Sequence, residues 1–306
     1  MFDKPRDILE AYRDGFVGSW CDPEDTDKLL GESPHPLFGV AAPDLYGSGK
    51  GKVALLHKSI LKFDPTFGAH ERQTTGDCVS HATRNAVDVT RCHEIVGGQR
   101  EEFVARGATE AIYGSRGHGG QGMSCSVAAR FVAQNGGILV RKNYGFVDLS
   151  RYNSKVGQSW GRSGVPSDVR NEAKKHQVKT ISLINTVDQA RDAIANGYAI
   201  SVCSNYGFSS RRDSHGIARK SGSWNHAMSW VSMDDSHEIH KETLFLIQNS
   251  WGAFNGGPKR FDQPDGSFWV RERDAAGMLR QNGAWVYSDV NGFPPRKVDW
   301  TIDEVF

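Results

Sequence analysis

The chain has 306 residues, with 37 Lys and Arg against 36 Asp and Glu, so its formal net charge is +1 at pH 7. A chain of this length can bury one large core or two lobes that share an interface. The near-zero net charge excludes a global positive field that would recruit nucleic acid or an anionic membrane. No window approaches the roughly 18 consecutive apolar residues that span a bilayer.

The first sixty residues are rich in Pro, Gly and Asp, which favour turns and extended backbone. They predict an extended arm over residues 1–60 that runs along a surface. The beginning of the chain, MFDKPRDILEAYRDGF, has acidic residues and lacks the apolar core of a secretory signal. We therefore expect a protein that is not secreted by a signal peptide, and that is cytoplasmic or assembled inside a cell.

Five cysteines are scattered along the chain without regular spacing: Cys21, Cys78, Cys92, Cys125 and Cys203. Without an export signal, an odd and scattered set favours free thiols over a disulfide framework. Cys92, Cys125 and Cys203 lie in apolar runs, which indicates thiols of the core.

Three segments have the apolar spacing of helices and end in glycine. They are residues 78–95, 124–137 and 186–197. In the third segment, Thr186 is the expected N-cap and Gln189 completes a capping box.

After residue 197 the pattern changes to short β-branched and aromatic runs separated by Gly, Asn and Asp, which predicts strands. The runs are YAISVCS, HAMSWVSMDD, TLFLIQNSW and GSFWVRER. The order of elements predicts an α+β fold in one domain over 61–306, with a helical lobe over about 70–180 and a β-rich lobe over about 181–295.

Cys78 lies between a Gly-Asp turn and the first predicted helix, in ERQTTGDCVSHATRN. The N-terminus of a helix offers unpaired N–H groups and a partial positive charge, which favour a thiolate. Gly76 permits the tight turn and Asp77 is a candidate N-cap, although an adjacent carboxylate opposes ionisation of the thiol. Taken alone, Cys78 is more simply a small buried residue of the core.

Two other polar residues lie at the ends of apolar runs. His226 opens the run HAMSWVSMDD, and a histidine in a core strand needs a partner for each ring nitrogen. Asn249 ends the run TLFLIQNSW, where its side-chain carbonyl can orient an imidazole and Trp251 can shield that bond from water. Each alone has an ordinary structural interpretation, and only their order along the chain is distinctive.

The order Cys78, His226, Asn249 resembles that of papain-type cysteine peptidases, in which the His and Asn follow the Cys by about 130–150 residues. QNSWG is similar to the family's KNSWG, and NHAM occupies the place of its DHA. Gln73 precedes the cysteine as the family's oxyanion-hole glutamine does. The resemblance runs from about Gln73 to Val270.

The resemblance implies a papain-like two-lobe fold, in which a helical lobe is followed by an antiparallel β-barrel-like lobe and the active-site cleft lies between them. It implies hydrolysis of peptide bonds by Cys78 and His226, with Asn249 fixing the ring tautomer. Gln73 and the Cys78 backbone N–H would hold the oxyanion. The expected substrate is a peptide or protein, with no cofactor and no metal.

The segment GHGGQGMSCSVAARFVAQNGG resembles the family segment that lines the substrate cleft. It implies that Gly119 and Gly120 pair with the backbone of a peptide substrate. Trp224 and Trp251 are the other expected substrate-binding residues.

Four features depart from the family pattern. Gln73 lies five rather than six positions before Cys78, and Val79 stands where the family has tryptophan. The family's disulfide cysteines are absent near Thr75 and His118, and the first sixty residues are too short and too poor in helix for the usual inhibitory propeptide. These departures favour an alternative, a catalytically silent papain fold with a structural or docking role.

The cysteine segment RQTTGDCVSHAT also resembles that of papain-like proteins in tailed bacteriophages. This second resemblance implies a virion-associated protein. Its N-terminal arm would bind other virion or assembly proteins.

Other polar clusters have simpler interpretations. Cys78 and His81 have a spacing that can share a metal ion, but a zinc site needs two further ligands, so no metal site is expected. Residues 209–222 carry five basic residues without an interleaved aromatic, which indicates a solvated loop and not a nucleic-acid site. A third possibility, an acyltransferase that uses Asp234 or Asp235, has no use for the NSWG motif.

Overall fold

The computed structural model describes residues 5–68, 71–98, 102–238 and 240–296. Its α-helices in these ranges are α1 (Pro5–Arg13), α2 (Pro23–Glu32), α3 (Phe38–Ala41), α4 (Leu56–Phe63), α5 (Cys78–Val96), α6 (Glu110–Gly114), α7 (Cys125–Arg130), α8 (Ser154–Ser163), α9 (Ser167–Ala173), α10 (Val187–Ala195) and α11 (Glu272–Leu279). The strands are β1 (Ser19–Trp20), β2 (Val53–Ala54), β3 (Met123–Ser124), β4 (Thr180–Ile184), β5 (Ile200–Arg212), β6 (Ala218–Asp234), β7 (Leu244–Gln248), β8 (Ser267–Arg271) and β9 (Ala284–Ser288). None of the described helices combines the length and apolar character needed to cross a bilayer.

Seven strands form one antiparallel sheet, six of them from the second half of the chain and one, β2, from the first half. Their order is β4-β9-β5-β6-β7-β8, and β2 pairs with β6. The long strands β5 and β6, of 13 and 17 residues, form the centre of the sheet. The sheet curls into a half-barrel beside the helical part of the chain, so the predicted α+β class is confirmed.

Helix α5 is the element that places Cys78. It begins at Cys78 and ends at Val96, before Gly97 and Gly98, because Gly98 has a φ of 91° and turns the chain out of the helix. Nearly every side chain of α5 is buried, since the helix packs against α4 on one side and the sheet on the other. The predicted helix over 78–95 is therefore confirmed to within one residue.

The predicted helix over 124–137 is found in part, as α7 over Cys125–Arg130 followed by a π-helical turn over Phe131–Asn135. The third helix is α10, in which Thr186 Oγ1 accepts a hydrogen bond from the Gln189 N–H at 3.2 Å. Gln189 Oε1 accepts from the backbone N–H of Asn185, one residue before the expected partner. The four predicted strands lie in β5, β6, β7 and β8. The sequence did not predict β4 and β9, which pair with each other at one edge of the sheet.

The first sixty residues contain more helix than their composition predicted. Ile8 and Tyr12 lie four residues apart on α1, and this spacing puts both on one buried face. Gly15, at φ 88°, ends the helix and turns the chain toward the sheet. We refer to residues 5–22 as the N-terminal segment. The division of the chain at residue 60 stays a prediction.

The expectation of free core thiols was wrong for two cysteines. Cys125 at the start of α7 and Cys203 on β5 form a disulfide bond, although 78 positions separate them in the sequence. Cys78 and Cys92 are free and buried, and Cys21 is free and half-buried. The pairing arises from packing of a helix against a strand, which scattered spacing does not reveal.

Candidate active site

Three polar side chains from separate parts of the chain converge where α5 meets the sheet. Cys78 is the first residue of α5, His226 lies on β6, and Asn249 directly follows β7. Ser229 of β6 pairs with Gln248 of β7 in the antiparallel sheet. This pairing places the part of β6 that carries His226 beside Asn249. All three side chains are buried.

The imidazole of His226 is held in one tautomer. The Ser250 backbone N–H donates to Oδ1 of Asn249 at 2.7 Å, which identifies that atom as the amide oxygen. The same oxygen lies 2.8 Å from Nε2 of His226, so Nε2 carries the ring proton and donates it. Nδ1 is then unprotonated, which is the form that a general base requires.

Two tryptophans enclose the imidazole. The Trp251 ring lies 4.5 Å from the His226 ring, centroid to centroid, at an interplanar angle of 31°. Trp224 packs on Trp251 at 4.8 Å, so it forms the outer layer of this wall. Burial lowers the pKa of His226 to about 3, although the hydrogen bond to Asn249 opposes the shift. The ring is therefore neutral at neutral pH.

The thiol of Cys78 is also uncharged in this environment. Burial raises its pKa to about 12, and the Asp77 carboxylate adds to the rise. The Tyr12 hydroxyl and the Ala227 backbone N–H contact the sulfur and partly offset the effect of burial. A thiolate–imidazolium pair between Cys78 and His226 is therefore not formed in this state.

Tyr12 of α1 reaches both the thiol and the imidazole. Its hydroxyl lies 3.1 Å from Nδ1 of His226, to which it donates a hydrogen bond, and it also contacts the side chains of Cys78 and Gln73. The phenol ring packs against His226 at 4.9 Å and against Trp251 at 5.1 Å. Burial raises the pKa of Tyr12 well above its usual value, so the phenol remains a neutral donor.

The chain after Tyr12 runs between the two lobes and pairs with both. The Gly18 N–H donates at 2.9 Å to the carbonyl of Asn225, the residue before His226. The Gly18 carbonyl accepts from the Met123 N–H at 3.2 Å, and β1 pairs in parallel with β3. The N-terminal segment thus makes backbone hydrogen bonds to both walls of the cleft.

Gly18 is also packed against the thiol. A Cβ atom added at this position would overlap the Tyr12 hydroxyl and lie 3.0 Å from the Cys78 sulfur. Only glycine leaves space for the phenol and the thiol together.

Gln73 is buried and has partners at both ends of its amide. Oε1 accepts hydrogen bonds from the Ser250 hydroxyl and from Nε1 of Trp251, the second at 3.2 Å. Nε2 donates to the Thr75 carbonyl at 2.8 Å. Because the amide nitrogen has two N–H donors, one remains for the Tyr12 hydroxyl that the side chain contacts. The oxyanion-hole role of Gln73 stays a prediction.

The two glycines predicted to bind substrate lie in a loop before β3. Gly119 and Gly120 are exposed, and the Gly120 N–H donates to Nδ1 of His118 at 3.2 Å. The N-terminal segment pairs instead with Met123–Ser124, a few residues further along the chain. Contact of the glycines, Trp224 and Trp251 with a substrate stays a prediction.

Asp77 occupies the expected N-cap position of α5, but its side chain does not cap the helix. Its Oδ2 accepts from the Tyr152 hydroxyl at 2.7 Å and lies 3.5 Å from Nε2 of His81. His81 thus faces a carboxylate and an aromatic hydroxyl. Within the described ranges, no group of three or more His, Cys, Asp or Glu is placed to hold a metal ion.

The two aspartates of the acyltransferase hypothesis are engaged elsewhere. Asp234 pairs with Arg260. Asp235 accepts from the Thr243 hydroxyl and, at 2.7 Å, from the Gly51 N–H. Neither is the partner of the His226 ring, whose Nε2 is bound to Asn249.

Sequence reasoning missed Tyr12, which contacts Cys78, His226 and Gln73. The motif DILEAYR does contain a signal, since Ile8 and Tyr12 have the spacing of a helix with one apolar face. The signal spans only two turns. It predicts a packed helix but not its docking partner.

No family model and no curated protein matches the sequence. Among solved structures, the chain is similar to procathepsin B S9 from Trypanosoma congolense, with a TM-score of 0.55, 11% identity, and coverage of 95% of this chain and 89% of that one. It is similar to the proform of the ragweed cysteine protease Amb a 11, with a TM-score of 0.50, 13% identity, and coverage of 94% and 77%. Xylellain, a cysteine protease from Xylella fastidiosa, matches at 16% identity over 78% and 86% of the chains, with a TM-score of 0.49.

These neighbours are papain-like cysteine proteases or their proforms. At 11 and 13% identity, the matches to procathepsin B S9 and Amb a 11 show the fold and not the activity. The chain therefore has the papain-like two-lobe fold.

Proposed function

We propose that the protein is a papain-like cysteine peptidase that hydrolyses peptide bonds with Cys78, His226 and Asn249. The observation that supports the proposal is the pair of hydrogen bonds made by the His226 imidazole. Its Nε2 is bound to Asn249, and its unprotonated Nδ1 is directed at the Tyr12 hydroxyl that contacts the Cys78 sulfur. Covalent catalysis requires a base that is fixed by a third group and lies near the nucleophile, and here the Tyr12 hydroxyl contacts both the base and the nucleophile.

In the proposed reaction, Nδ1 of His226 takes the proton of the Cys78 thiol. The resulting thiolate attacks the carbonyl carbon of the scissile peptide bond and forms a tetrahedral intermediate. Nδ1–H then protonates the leaving amine, and the C–N bond breaks to give an acyl-enzyme. Water, deprotonated by the same nitrogen, releases the acid product and restores the thiol.

The oxyanion of that intermediate would be held by the backbone N–H of Cys78 and by Nε2 of Gln73. The position of the Tyr12 hydroxyl supports this assignment, because this oxygen contacts both Gln73 and the Cys78 sulfur. Loss of one oxyanion donor typically costs about 2.7–4 kcal/mol in activation free energy.

Catalysis on this scheme requires the N-terminal segment to leave the cleft first. The segment bonds Asn225 on one wall and Met123 on the other, where an extended substrate would lie. Its departure would admit water, so the pKa of Cys78 would fall and that of His226 would rise toward their ordinary values. Both shifts favour the thiolate–imidazolium pair.

Hydrolysis of a fluorescently labelled unfolded protein tests the proposal. We expect the Tyr12→Ala variant to cleave it faster than the wild-type chain does, because the phenol no longer fills the site. The double variant Tyr12→Ala, Cys78→Ala should be inactive while retaining its fold by circular dichroism. Turnover that survives the loss of Cys78 would overturn the assignment.

A silent scaffold is the second candidate, and the full burial of Cys78 favours it. Alkylation by iodoacetamide in the Tyr12→Ala variant separates the two. A paired thiolate reacts near pH 6, whereas an ordinary thiol reacts only above about pH 8.5. Reaction at the higher pH alone, without hydrolysis, would establish the scaffold.

The docking of virion or assembly proteins by residues 1–60 stays a prediction, as does a cytoplasmic or virion-associated location. A deletion of this region is a poor test, because β2 pairs with β6 and Leu56 and Ile60 at its boundary are in the core. Substitution of exposed residues such as Val40 and Tyr46 is a cleaner test of partner binding.

A further inference from the structure

Three cysteines meet at one place beside the cleft. The parallel register of β1 and β3 pairs Ser19 with Met123 and Trp20 with Ser124. The residues that directly follow these two strands are therefore Cys21 and Cys125. Cys125 is bonded to Cys203. A free thiol on the N-terminal segment is therefore adjacent in register to one half of a disulfide.

Gly283 places the Cys21 sulfur near the other half of the disulfide as well. A Cβ atom added to Gly283 would overlap the Cys21 sulfur and lie 3.0 Å from Cβ of Cys203. The Cys203 N–H donates to the Gly283 carbonyl at 2.9 Å, which fixes β5 against this glycine. The absent side chain at Gly283 is what allows the thiol and the disulfide to approach each other.

We propose that Cys21 exchanges with the Cys125–Cys203 disulfide and thereby ties the N-terminal segment covalently to β5. The Cys21 thiolate attacks the sulfur of Cys203, a Cys21–Cys203 bond forms, and the Cys125–Cys203 bond breaks. Cys125 leaves as the thiolate and takes up the proton that Cys21 released. The number of disulfides is unchanged, so no external oxidant or reductant is consumed.

The consequence of the exchange is a locked cleft. Tyr12 and Gly18, which contact the site, precede Cys21 in the same segment, and a bond from Cys21 to β5 keeps them within reach of His226. Reverse attack by Cys125 releases the segment again. This inference rests on the proposed function only for its effect on catalysis, since the exchange itself is a property of the three cysteines.

Burial controls the rate of the exchange in the closed state. It raises the pKa of Cys21 to about 11, which leaves a small fraction of thiolate at neutral pH. Because Cys21 is half-buried, the thiol becomes more available when the segment loosens. The lock is therefore expected to form slowly at neutral pH and faster in alkaline solution.

Disulfide mapping of the full-length protein tests the exchange directly. Cleavage after Lys and Arg places each of the five cysteines in its own peptide. The protein is incubated at about pH 9, where the thiolate fraction is larger, and then quenched with acid and N-ethylmaleimide. We expect the Cys21–Cys203 peptide pair to increase with time while Cys125 becomes alkylated. Cys92, a buried free cysteine, is the internal control and should enter no disulfide.

The variant Cys125→Ser tests whether the sulfurs of Cys21 and Cys203 can reach each other, whatever the rate of exchange. In Cys125→Ser, glutathione disulfide supplies the oxidising equivalents, and Cys21 and Cys203 should form a bond with each other. Recovery of only glutathione adducts on the two cysteines would overturn the proposal, as would an unchanged Cys125–Cys203 pair after incubation of the wild-type chain.

A second readout separates this inference from the proposed function. Cys78 in the Cys21–Cys203 form should be alkylated at least about tenfold more slowly than in Cys21→Ser, in which no tether can form. Equal rates would show that the bond does not close the cleft. Neither measurement depends on peptide hydrolysis, so an inactive protein would refute the peptidase proposal without affecting this one.

Discussion

The Tyr12 hydroxyl donates a hydrogen bond of 3.1 Å to Nδ1 of His226, the nitrogen that would accept the proton of Cys78. The contact joins residues 214 positions apart. Burial keeps the imidazole neutral and the thiol protonated, since it lowers the pKa of His226 and raises that of Cys78. Tyr12 packs against both groups, so the N-terminal segment is part of the surroundings that bury them.

Replacing Tyr12 should activate the thiol. We expect Tyr12→Ala to increase the rate of Cys78 alkylation at pH 7 by at least about tenfold, because water then reaches the sulfur and its pKa falls. Tyr46→Ala is the matched control, since Tyr46 is 81% exposed and lies outside the cleft. Mass spectrometry of the Cys78 peptide gives both rates, and equal values would contradict the role assigned to Tyr12.

Gly18→Ala should displace the phenol without removing it. The added methyl overlaps the Tyr12 hydroxyl, and overpacking of this kind typically costs about 1–3 kcal/mol. We expect faster Cys78 alkylation and a lower free energy of unfolding in urea. Gly31 lies on α2 with open space around it, so Gly31→Ala should neither speed Cys78 alkylation nor lower the free energy of unfolding. An unaltered alkylation rate in Gly18→Ala would show that the segment adjusts elsewhere.

Asn249→Ala should impair catalysis in the Tyr12→Ala background. Without the amide oxygen, Nε2 of His226 loses the acceptor that fixes the tautomer. We expect kcat/KM for a peptide substrate to fall at least about tenfold, equivalent to about 1.4 kcal/mol of activation free energy. Asn143→Ala, on an exposed turn, is the control. Unchanged turnover would remove Asn249 from the mechanism.

Acid should destabilise the fold before its carboxylates titrate. Burial lowers the pKa of His57 and His93 to about 4 and that of His226 to about 3. Below pH 6.5 the unfolded chain binds protons that the folded chain does not, so stability falls as the pH decreases toward 4. Each such histidine contributes up to about 1.4 kcal/mol per pH unit.

Urea unfolding at pH 7, 6 and 5 measures this slope. His57→Gln should reduce the slope by about one proton, because its imidazole binds a proton only in the unfolded chain over this range. A free energy of unfolding that is constant from pH 7 to 5 would show that the buried imidazoles are hydrated in solution.

Gln73→Glu tests how the amide holds the NSWG segment. The carboxylate can still accept from Ser250 and Trp251, but it cannot donate to the Thr75 carbonyl. A buried carbonyl that loses its donor typically costs about 1–3 kcal/mol. Gln177→Glu removes a similar bond at the surface, to the Gln134 carbonyl, and should cost less. Differential urea unfolding compares the two, and equal losses would argue against tight packing at Gln73.

Local signals in the sequence predicted much of the fold. The start of α5 at Cys78 follows from the Gly-Asp turn, and its end from Gly97, because such punctuation acts within a few residues. The strands carrying His226 and preceding Asn249 were visible for the same reason. Edge strands such as β4 were missed because a five-residue apolar run is ambiguous between strand and helix.

The contacts that define the state of the site could not be read from the sequence. Tyr12 meets His226 across most of the chain, and Cys125 meets Cys203 only because α7 packs on β5. Such pairings depend on how elements dock in three dimensions. No local pattern of residues records them.

The N-terminal segment that lies in the cleft is small, since its regular structure is a nine-residue helix and a two-residue strand. Detaching so small a unit requires less free energy than unfolding the whole chain. A resting population of molecules should therefore expose the thiol at any moment, and a sensitive assay of the untreated protein should detect background turnover. If the proposed peptidase activity is found, the residual rate of the closed protein would measure how often the segment detaches.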